Sequence, residues 1–545
     1  MISILFTAGL LIGMTACQPA GTGRSVSEVM DDKVTFLYRN FQPDDLRKLD
    51  YDAVMKLFDQ EERQVLGTRH WSFEAGVPVV VSVMRSVNQK IVPFWLPEYG
   101  FQKTGLTMKN EQTTYEVWQK KFDAGTVGLG INGFDQNLGM HYFVAVAPQN
   151  KNDRLVLSNF FPASQYVGIL DDGAFTYHDW DELVLTDVPD EMKGQQLLPT
   201  VRGRAAESHL IGAFRESKFP ASAAPDQFHL SWSSDPSTTI DVLWRTDTTV
   251  TAGLLKYRVK GTAAEQTVPA EKLRMEDRLL MNDRYVHHFT ARLKGLSPGT
   301  TYEYSAGDGW SEGDSFTTAA SDDVFSFLWF GDTHNSPLFG EILQQAYQTE
   351  PEVAFFSIVG DLVSDGLFRD QWDELFAYSR GVANQIPLMA VPGNHDNRAG
   401  RGAQLFRDQF SYPLNAPAGV PAEQTYAFQY KNALLLMIDA TSPLEPHTAW
   451  IEKQLAESKA TWKIAMFHFP PYNWEEPYLD IQEAWVPLFD KYQVDLVLGG
   501  HIHYYMRSKP MKGGQVVPEG GNGTIYMVSV GIPSREGERT PEPYA

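Results

Sequence analysis

One cysteine in 545 residues is too few for a cross-link. Cys17 has no second thiol to pair with, so the fold cannot rest on internal disulfides. Membrane-length apolar runs are absent as well. The stretch Ile2 to Met14 is thirteen residues, short of the roughly 18 that a spanning helix needs, and no later run approaches that length. Basic side chains are outnumbered, with 46 Lys and Arg against 68 Asp and Glu. The resulting formal charge of -22 repels polyanions and argues against nucleic acid as a bulk partner. What is present, 43% hydrophobic, 21% charged and 12% aromatic residues, describes a soluble globular protein rather than a disordered or fibrous one. Such a length exceeds one hydrophobic core, and the patterns below resolve three folded parts behind a short leader.

Ile2 to Met14 has the length of a secretory h-region and runs into Met14-Thr15-Ala16-Cys17. Small residues before a lone cysteine resemble the bacterial lipobox, whose cysteine is acylated and begins the mature lipoprotein. The resemblance implies a signal peptide over residues 1–16, lipidation of Cys17 and a tether over residues 17–25. It places the protein in a bacterial cell envelope, lipid-anchored and facing the periplasm or exterior. Membrane attachment then rests on that anchor alone.

From Val26 to Val201, short apolar or alternating runs such as Val79 to Met84 and His141 to Ala147 are separated by Gly, Asn, Asp and Pro. They predict a mainly β domain of unknown role, with one helix-like stretch from Asp44 to Phe58. The aromatics there, among them Trp71, Trp95, Trp118 and Trp180, read more readily as core than as a ligand surface. Residues 202–225 are rich in Ala, Ser and Pro and read as a linker. Strand-length runs follow at Gln227 to Ser233, Ile240 to Arg245, Leu254 to Val259, Tyr285 to Leu293 and Thr301 to Ser305. Leu296-Ser297-Pro298-Gly299-Thr300-Thr301-Tyr302 resembles the tyrosine corner of fibronectin type III domains. Residues 226–319 also resemble the N-terminal domain of purple acid phosphatases. From Asp322 the pattern changes to continuous apolar strands, such as Val353 to Val359 and Leu388 to Val391, alternating with helical stretches. That alternation indicates an α/β layered fold whose ligands gather at the carboxyl ends of the strands.

Polar clusters stand at those ends: Gly331-Asp332-Thr333-His334, Gly360-Asp361, Gly393-Asn394-His395-Asp396, His468, and Gly500-His501-Ile502-His503. Carboxylates, imidazoles and an amide oxygen on rigid strand ends are what a metal site needs. Any one cluster alone is an ordinary turn or core histidine, but five in succession are not. Their order resembles that of the calcineurin-like metallophosphoesterase superfamily, D-x-H, G-D, G-N-H-[DE], H and G-H-x-H. The resemblance implies a metallophosphoesterase domain over residues 322–545, with a C-terminal segment that reads as cut short. It implies that Asp332, His334 and His503 hold one metal, that Asn394, His468 and His501 hold the other, and that Asp361 bridges them. His395 would serve as catalytic acid, with Asp396 orienting its imidazole. The two ions are Fe, Mn or Zn, since nitrogen and oxygen donors suit all three.

One departure separates this chain from purple acid phosphatases, which use D-x-G and then G-D-x-x-Y, the Tyr binding ferric iron and giving the colour. Here His334 and Ser364 stand at those positions, so the active site resembles the general branch of the superfamily. Two metals roughly 3.5 to 4 Å apart could activate a metal-bound hydroxide for direct attack on a small phosphate ester. Their charge would dominate the local field despite the acidic chain. Arg398 and Arg507 are candidate substrate contacts in the loops after the third and last motifs, with Asn397, Arg401, Tyr504 and Tyr505 beside them. A serine hydrolase is a rival, because Gly309-Trp310-Ser311-Glu312-Gly313 matches G-x-S-x-G. That elbow needs a strand-to-helix turn, and no helical pattern follows it. The alternative of another class is a cell-surface binding protein whose β domains recognise a glycan or partner, with a weakly active or inactive metal domain.

Overall fold

The computed structural model describes residues 23–177, 180–307, 310, 314–398, 401–475, 478–532 and 544, leaving aside the side chains of residues 180–182 and 202. The expected signal peptide, Cys17 and most of the tether lie outside the described residues, as does the Gly309 to Gly313 loop apart from Trp310. Among the described residues no helix is long and apolar enough to cross a membrane. The chain divides into two units, residues 1–214 and 215–545.

The first unit opens with a helix over Val26–Asn40. Ser25 starts it through a reciprocal cap, its Oγ accepting the Glu28 N–H at 3.2 Å while Glu28 accepts the Ser25 N–H at 2.7 Å. Val26, Val29, Met30, Val34 and Leu37 form its buried face. The stretch expected as one helix from Asp44 to Phe58 is instead two short ones, Pro43–Leu46 and Tyr51–Met55. Asp50 interrupts them, because its carboxylate caps the second by accepting the Ala53 N–H at 2.8 Å. Beyond these helices lie an eight-stranded and a three-stranded sheet. Val79–Ser86 pairs antiparallel with Thr114–Phe122 and with Phe143–Pro148, while Trp71–Ala75 pairs with Gly125–Leu129 and Leu157–Phe161. Trp71 and Trp95 are buried.

The first part of the expected linker is folded. Arg202–Ser208 is a 3-10 helix, and Leu210 and Ala213 are buried. Its composition misled because the charged residues are paired inside, Arg204 donating to Glu207 at 2.7 Å with both nearly inaccessible.

In the second unit, residues 226–319 form a seven-stranded sheet wrapped into a sandwich. Gln266–Glu276 makes the corner: its first half pairs with Gly253–Val259 and its second half with Tyr285–Lys294. That strand was not expected, being largely polar and interrupted by Pro269. The tyrosine corner is present, with the Ser297 N–H donating to the Tyr302 hydroxyl at 2.9 Å.

The remainder is layered α/β. Strands β1 (Leu328–Phe330), β2 (Phe356–Val359) and β3 (Leu388–Val391) form one parallel sheet. The other contains β4 (Tyr426–Tyr430), β5 (Ala433–Ile438), β6 (Trp462–Phe467), β7 (Leu496–Gly499), β8 (Met506–Arg507) and β9 (Ile525–Val528), in the order β4-β5-β6-β7-β9-β8. Within it β5, β6, β7 and β9 run parallel, and β2, β3 and β5 are buried throughout, as continuous apolar runs require. Helices Pro337–Thr349 and Arg369–Ser379 lie in the connections from β1 to β2 and from β2 to β3.

Sandwich and layers share one core. Trp232 of the sandwich packs with its ring centroid 5.8 Å from that of Phe355 and 5.3 Å from that of Tyr430. A buried ionic network ties the same halves, Asp373 accepting from Arg245 at 2.7 Å and from Arg369 at 3.1 Å, while Arg215 pairs with Asp277 and Asp370.

Candidate metal centre

The loops after β1, β2, β3, β6 and β7 converge. After β1 the chain turns at Gly331, where a Cβ would lie 1.9 Å from the Ser529 carbonyl oxygen, so a side chain does not fit. Asp332 follows, fully buried, its Oδ1 accepting the His501 N–H at 2.6 Å and its Oδ2 lying 3.1 Å from His503 Nε2. The loops after β1 and β2 are stitched together by the N–H groups of Thr333 and His334, both donating to the Asp361 carbonyl at 3.0 Å. His334, Asn335, Asp361 and His501 have φ of 45°, 46°, 51° and 67°. Each left-handed residue costs about 1 kcal/mol or more, a strain that clusters at functional sites.

Asp361 sits centrally. Its Oδ2 is 3.3 Å from His468 Nε2, 3.9 Å from His334 Nε2 and 4.0 Å from His395 Nε2. Its Oδ1 accepts the His395 N–H at 2.8 Å. The Val359 carbonyl accepts from His468 Nδ1 at 2.9 Å, which leaves Nε2 to face the site. That Nε2 lies 3.0 Å from Asn394 Oδ1 and 3.2 Å from His501 Nδ1. The candidate donors fall into two sets, Asp332, His334 and His503 in one and Asp361, His468 and His501 in the other, with donor atoms inside each set within 4.8 Å of one another. All seven residues read as ligands thus meet in one place.

The chemistry of these donors fits two cations. Asp332 and Asp361 are buried and, among the described residues, have no Lys or Arg partner; their ion pairs are all to imidazoles. Burial pushes both carboxyls up, but His468, helped by His503 at Asp332 and by His395 at Asp361, holds them below the usual range. Burial also opposes charge on His468, yet Asp361 and Asp332 together push it up to about 9. Burial and His468 push His501 down to about 4. Two imidazole nitrogens facing each other at 3.2 Å need a proton or a cation between them.

The catalytic pair expected at His395 and Asp396 needs correction. His395 does stand over the cluster, about a third exposed, but its imidazole is oriented by the Ser364 carbonyl, which lies 2.6 Å from Nδ1. Asp396 is fully buried and turned to the backbone: it accepts the N–H groups of Leu362 and Val363 at 3.1 Å and of Gly393 at 2.9 Å. Burial and the charge of Asp361 raise its carboxyl to about 8, against the pull of those three N–H groups. It fixes the loops that carry Asp361 and Asn394 and does not touch the imidazole.

The loop candidates divide as well. Arg398 pairs with Asp365 at 3.1 Å, just past the second motif, and Asn397 donates to Thr441 at 2.7 Å. Arg507 is exposed on β8 and, among the described residues, makes no hydrogen bond or ion pair with the cluster. Tyr504 is structural, its hydroxyl accepting the Trp474 N–H at 2.5 Å and its ring stacked on Trp474. Sequence reasoning missed the carbonyls of Val359 and Ser364, which leave no side-chain signature. It also missed Phe469 and Tyr478, which pack against His501 with centroids 4.8 and 5.8 Å away; Phe469 directly follows a ligand histidine, the one available hint.

Comparison with known proteins places similarity in the second unit. Residues 325–505 match the calcineurin-like phosphoesterase family, and residues 225–318 match the purple acid phosphatase N-terminal domain. An uncharacterized protein of Mycobacterium tuberculosis is 25% identical over 332 residues, covering 52% of this chain and 62% of its own length. A probable purple acid phosphatase of Arabidopsis thaliana is 24% identical over 301 residues, covering 52% of this chain and 66% of its own. The chain therefore spans less than two thirds of these relatives. A purple acid phosphatase from yellow lupin seeds, known by its structure, is 16% identical with a TM-score of 0.48, covering 86% of this chain and 84% of that one. The chain thus carries a calcineurin-like phosphoesterase domain preceded by a purple acid phosphatase N-terminal domain.

Proposed function

We propose that the second unit is a metal-dependent phosphoester hydrolase working with two ions, of Fe, Mn or Zn, on a small phosphate ester. One observation carries the reading: Asp361 Oδ2 lies within 4.0 Å of imidazoles from both donor sets, the position of a ligand shared by two ions. When bound, such ions supply Lewis acidity toward phosphate and acidify water at the site. The protein's own groups do the rest. Asp332, His334 and His503 would hold one ion, and Asn394, His468 and His501 the other. With Nδ1–H held by the Ser364 carbonyl, His395 presents Nε2 beside Asp361, where a proton can pass to the departing oxygen. Asp396 keeps the Asp361 and Asn394 loops in register through three backbone N–H groups. Arg398, held by Asp365, lies in the loop that follows His395.

The test combines metal analysis by mass spectrometry with hydrolysis of p-nitrophenyl phosphate and bis-p-nitrophenyl phosphate by protein loaded with each metal. Two ions per chain are expected. Asp361→Asn should cost more than ~100-fold in turnover, beyond what losing a mere supporting partner costs. Failure to hydrolyse either ester with any of the three metals would reject the proposal and favour a binding role.

A further inference from the structure

The first unit matches neither family above, yet it contains a well-formed cavity of about 450 Å³, within the roughly 300 to 1,000 Å³ of small-molecule sites. Every residue lining it lies between Gly23 and Glu207. Exposed Gln64 and Thr126 edge its mouth, while buried Ser72, Trp95 and Phe101 form its floor. The walls come from both sheets, Gly128 and Ser72 belonging to the three-stranded one and Lys120 and Phe122 to the eight-stranded one.

Its charge is opposite to that of the chain. Although acidic residues outnumber basic ones by 68 to 46, the cavity is lined by Arg24, Arg69, Lys120 and Arg204 against one carboxylate, Glu207. Two of these cations are accounted for internally: Arg204 pairs with Glu207 at 2.7 Å, and Arg24 pairs with Asp32 and Glu62. The other two are not. The Arg69 guanidinium donates to the Arg24 carbonyl at 2.9 Å and, among the described residues, meets no carboxylate. Lys120 lies over the rings of Phe122 and Phe101, 4.6 and 5.7 Å from their centroids, again with no carboxylate. Burial lowers its ammonium below the usual lysine range. Arg204, nine-tenths buried, keeps an Nε that meets no acceptor among the described residues. Partly desolvated cations without anions are costly, and an anionic ligand removes that cost.

We propose that this cavity binds a small amphipathic organic anion, its apolar body lying against Trp95, Tyr99 and Phe101 and its acidic group meeting Lys120 and Arg69. The inference does not depend on the phosphoesterase reading. Aromatic walls supply the area, and the two cations that meet no carboxylate among the described residues supply the sign.

The probe is 2-naphthoate, titrated calorimetrically into the full chain at neutral pH, with 2-naphthol as neutral and 2-naphthylmethylamine as cationic isosteres. Saturable one-to-one binding of the anion is expected, at least ~10-fold tighter than the naphthol, with no binding of the amine; tenfold corresponds to about 1.4 kcal/mol. Lys120→Met and Arg69→Gln should each weaken the anion by ~10-fold or more, and Thr126→Trp should block the mouth while leaving phosphoester hydrolysis unchanged. Asp361→Asn, which alters only the metal centre, should bind the anion as the parent does. No saturable binding, equal binding of anion and amine, or loss of binding in Asp361→Asn would each overturn the assignment. If Lys120→Met does not fold, the isostere comparison on the unmodified protein and Arg69→Gln still decide it.

Discussion

Asp396→Asn separates two roles for a residue that adjoins His395 in sequence but faces away from its ring. The carboxylate accepts three buried N–H groups, two on Oδ2 (Leu362 and Gly393) and one on Oδ1 (Val363). An amide of the same shape keeps its oxygen at the two-bond position and sets an NH₂ against the remaining N–H. Measured above about pH 8, where the Asp396 carboxyl is ionised, one charge-assisted bond is lost, about 1.5–3 kcal/mol, and one buried donor is left unsatisfied, about 1–3 kcal/mol. Removing the charge relieves repulsion with Asp361, the same repulsion that raises the Asp396 carboxyl, and so offsets part of the loss. The net expectation is a destabilisation of about 2–3 kcal/mol. Thermal unfolding of the metal-loaded chain should fall by roughly 4 to 12 °C, at about 2 to 4 °C per kcal/mol for a large domain. Metal content should fall with it, because the loops holding Asp361 and Asn394 lose their common tie, while the pH profile of the remaining activity keeps its shape. A variant with unchanged unfolding temperature but a displaced limb in that profile would refute the backbone role and restore Asp396 as the partner of His395.

Three further outcomes follow from the geometry. His395→Ala should lose ~10²- to 10⁴-fold on esters with poor leaving groups and much less on p-nitrophenyl phosphate, as removal of a general acid requires; equal losses on both would contradict proton donation from Nε2. His288 is buried near His229 and Arg245, and burial first, then those two charges, lower its imidazole to about 3. Between about pH 6.5 and 3 the unfolded chain therefore binds the extra proton, so stability is complete above pH 6.5 and drains as pH falls. The slope approaches about 1.4 kcal/mol per pH unit below pH 6.5, so urea unfolding at pH 6.5 and 4.5 should differ by about 2 kcal/mol more in the parent than in His288→Leu. Loaded with ferric iron, the protein should lack the intense visible band of a tyrosinate ligand, since Ser364 occupies that position and His334 faces Asp332 and Asp361; a purple product would refute that assignment.

The cluster of candidate metal donors was legible because its residues follow apolar strands, and strand ends broadcast themselves as apolar runs stopped by Gly and a polar residue. β3 coincides with its expected run, Leu388 to Val391, and β2 fills the end of its own, Val353 to Val359. Asp396 was misread because adjacency in sequence does not report orientation: its backbone turns between Gly393 and Asn397 so that the carboxylate points inward. The first helix was missed although Ser25 and Glu28 announce it, since the strand-like runs around it set the reading for the whole segment. Gln266–Glu276 escaped because a largely exposed strand that turns the corner between two halves of the sandwich needs no apolar period. The linker reading failed at Arg204 and Glu207, whose burial depends on their pairing and not on either residue alone.

Trp232 stands in the sandwich, but its ring is clasped by Phe355 and Tyr430 of the α/β layers, and Asp373 is held by arginines from both. Such a seam restricts what evolution can do with either half. A substitution that reshapes one face of the shared core must be answered on the other, so the halves drift together or not at all. Shuffling either one into a foreign chain would carry a raw apolar face and orphaned charges with it. New specificity is then most readily gained in the loops beyond the strands, where change leaves the seam untouched.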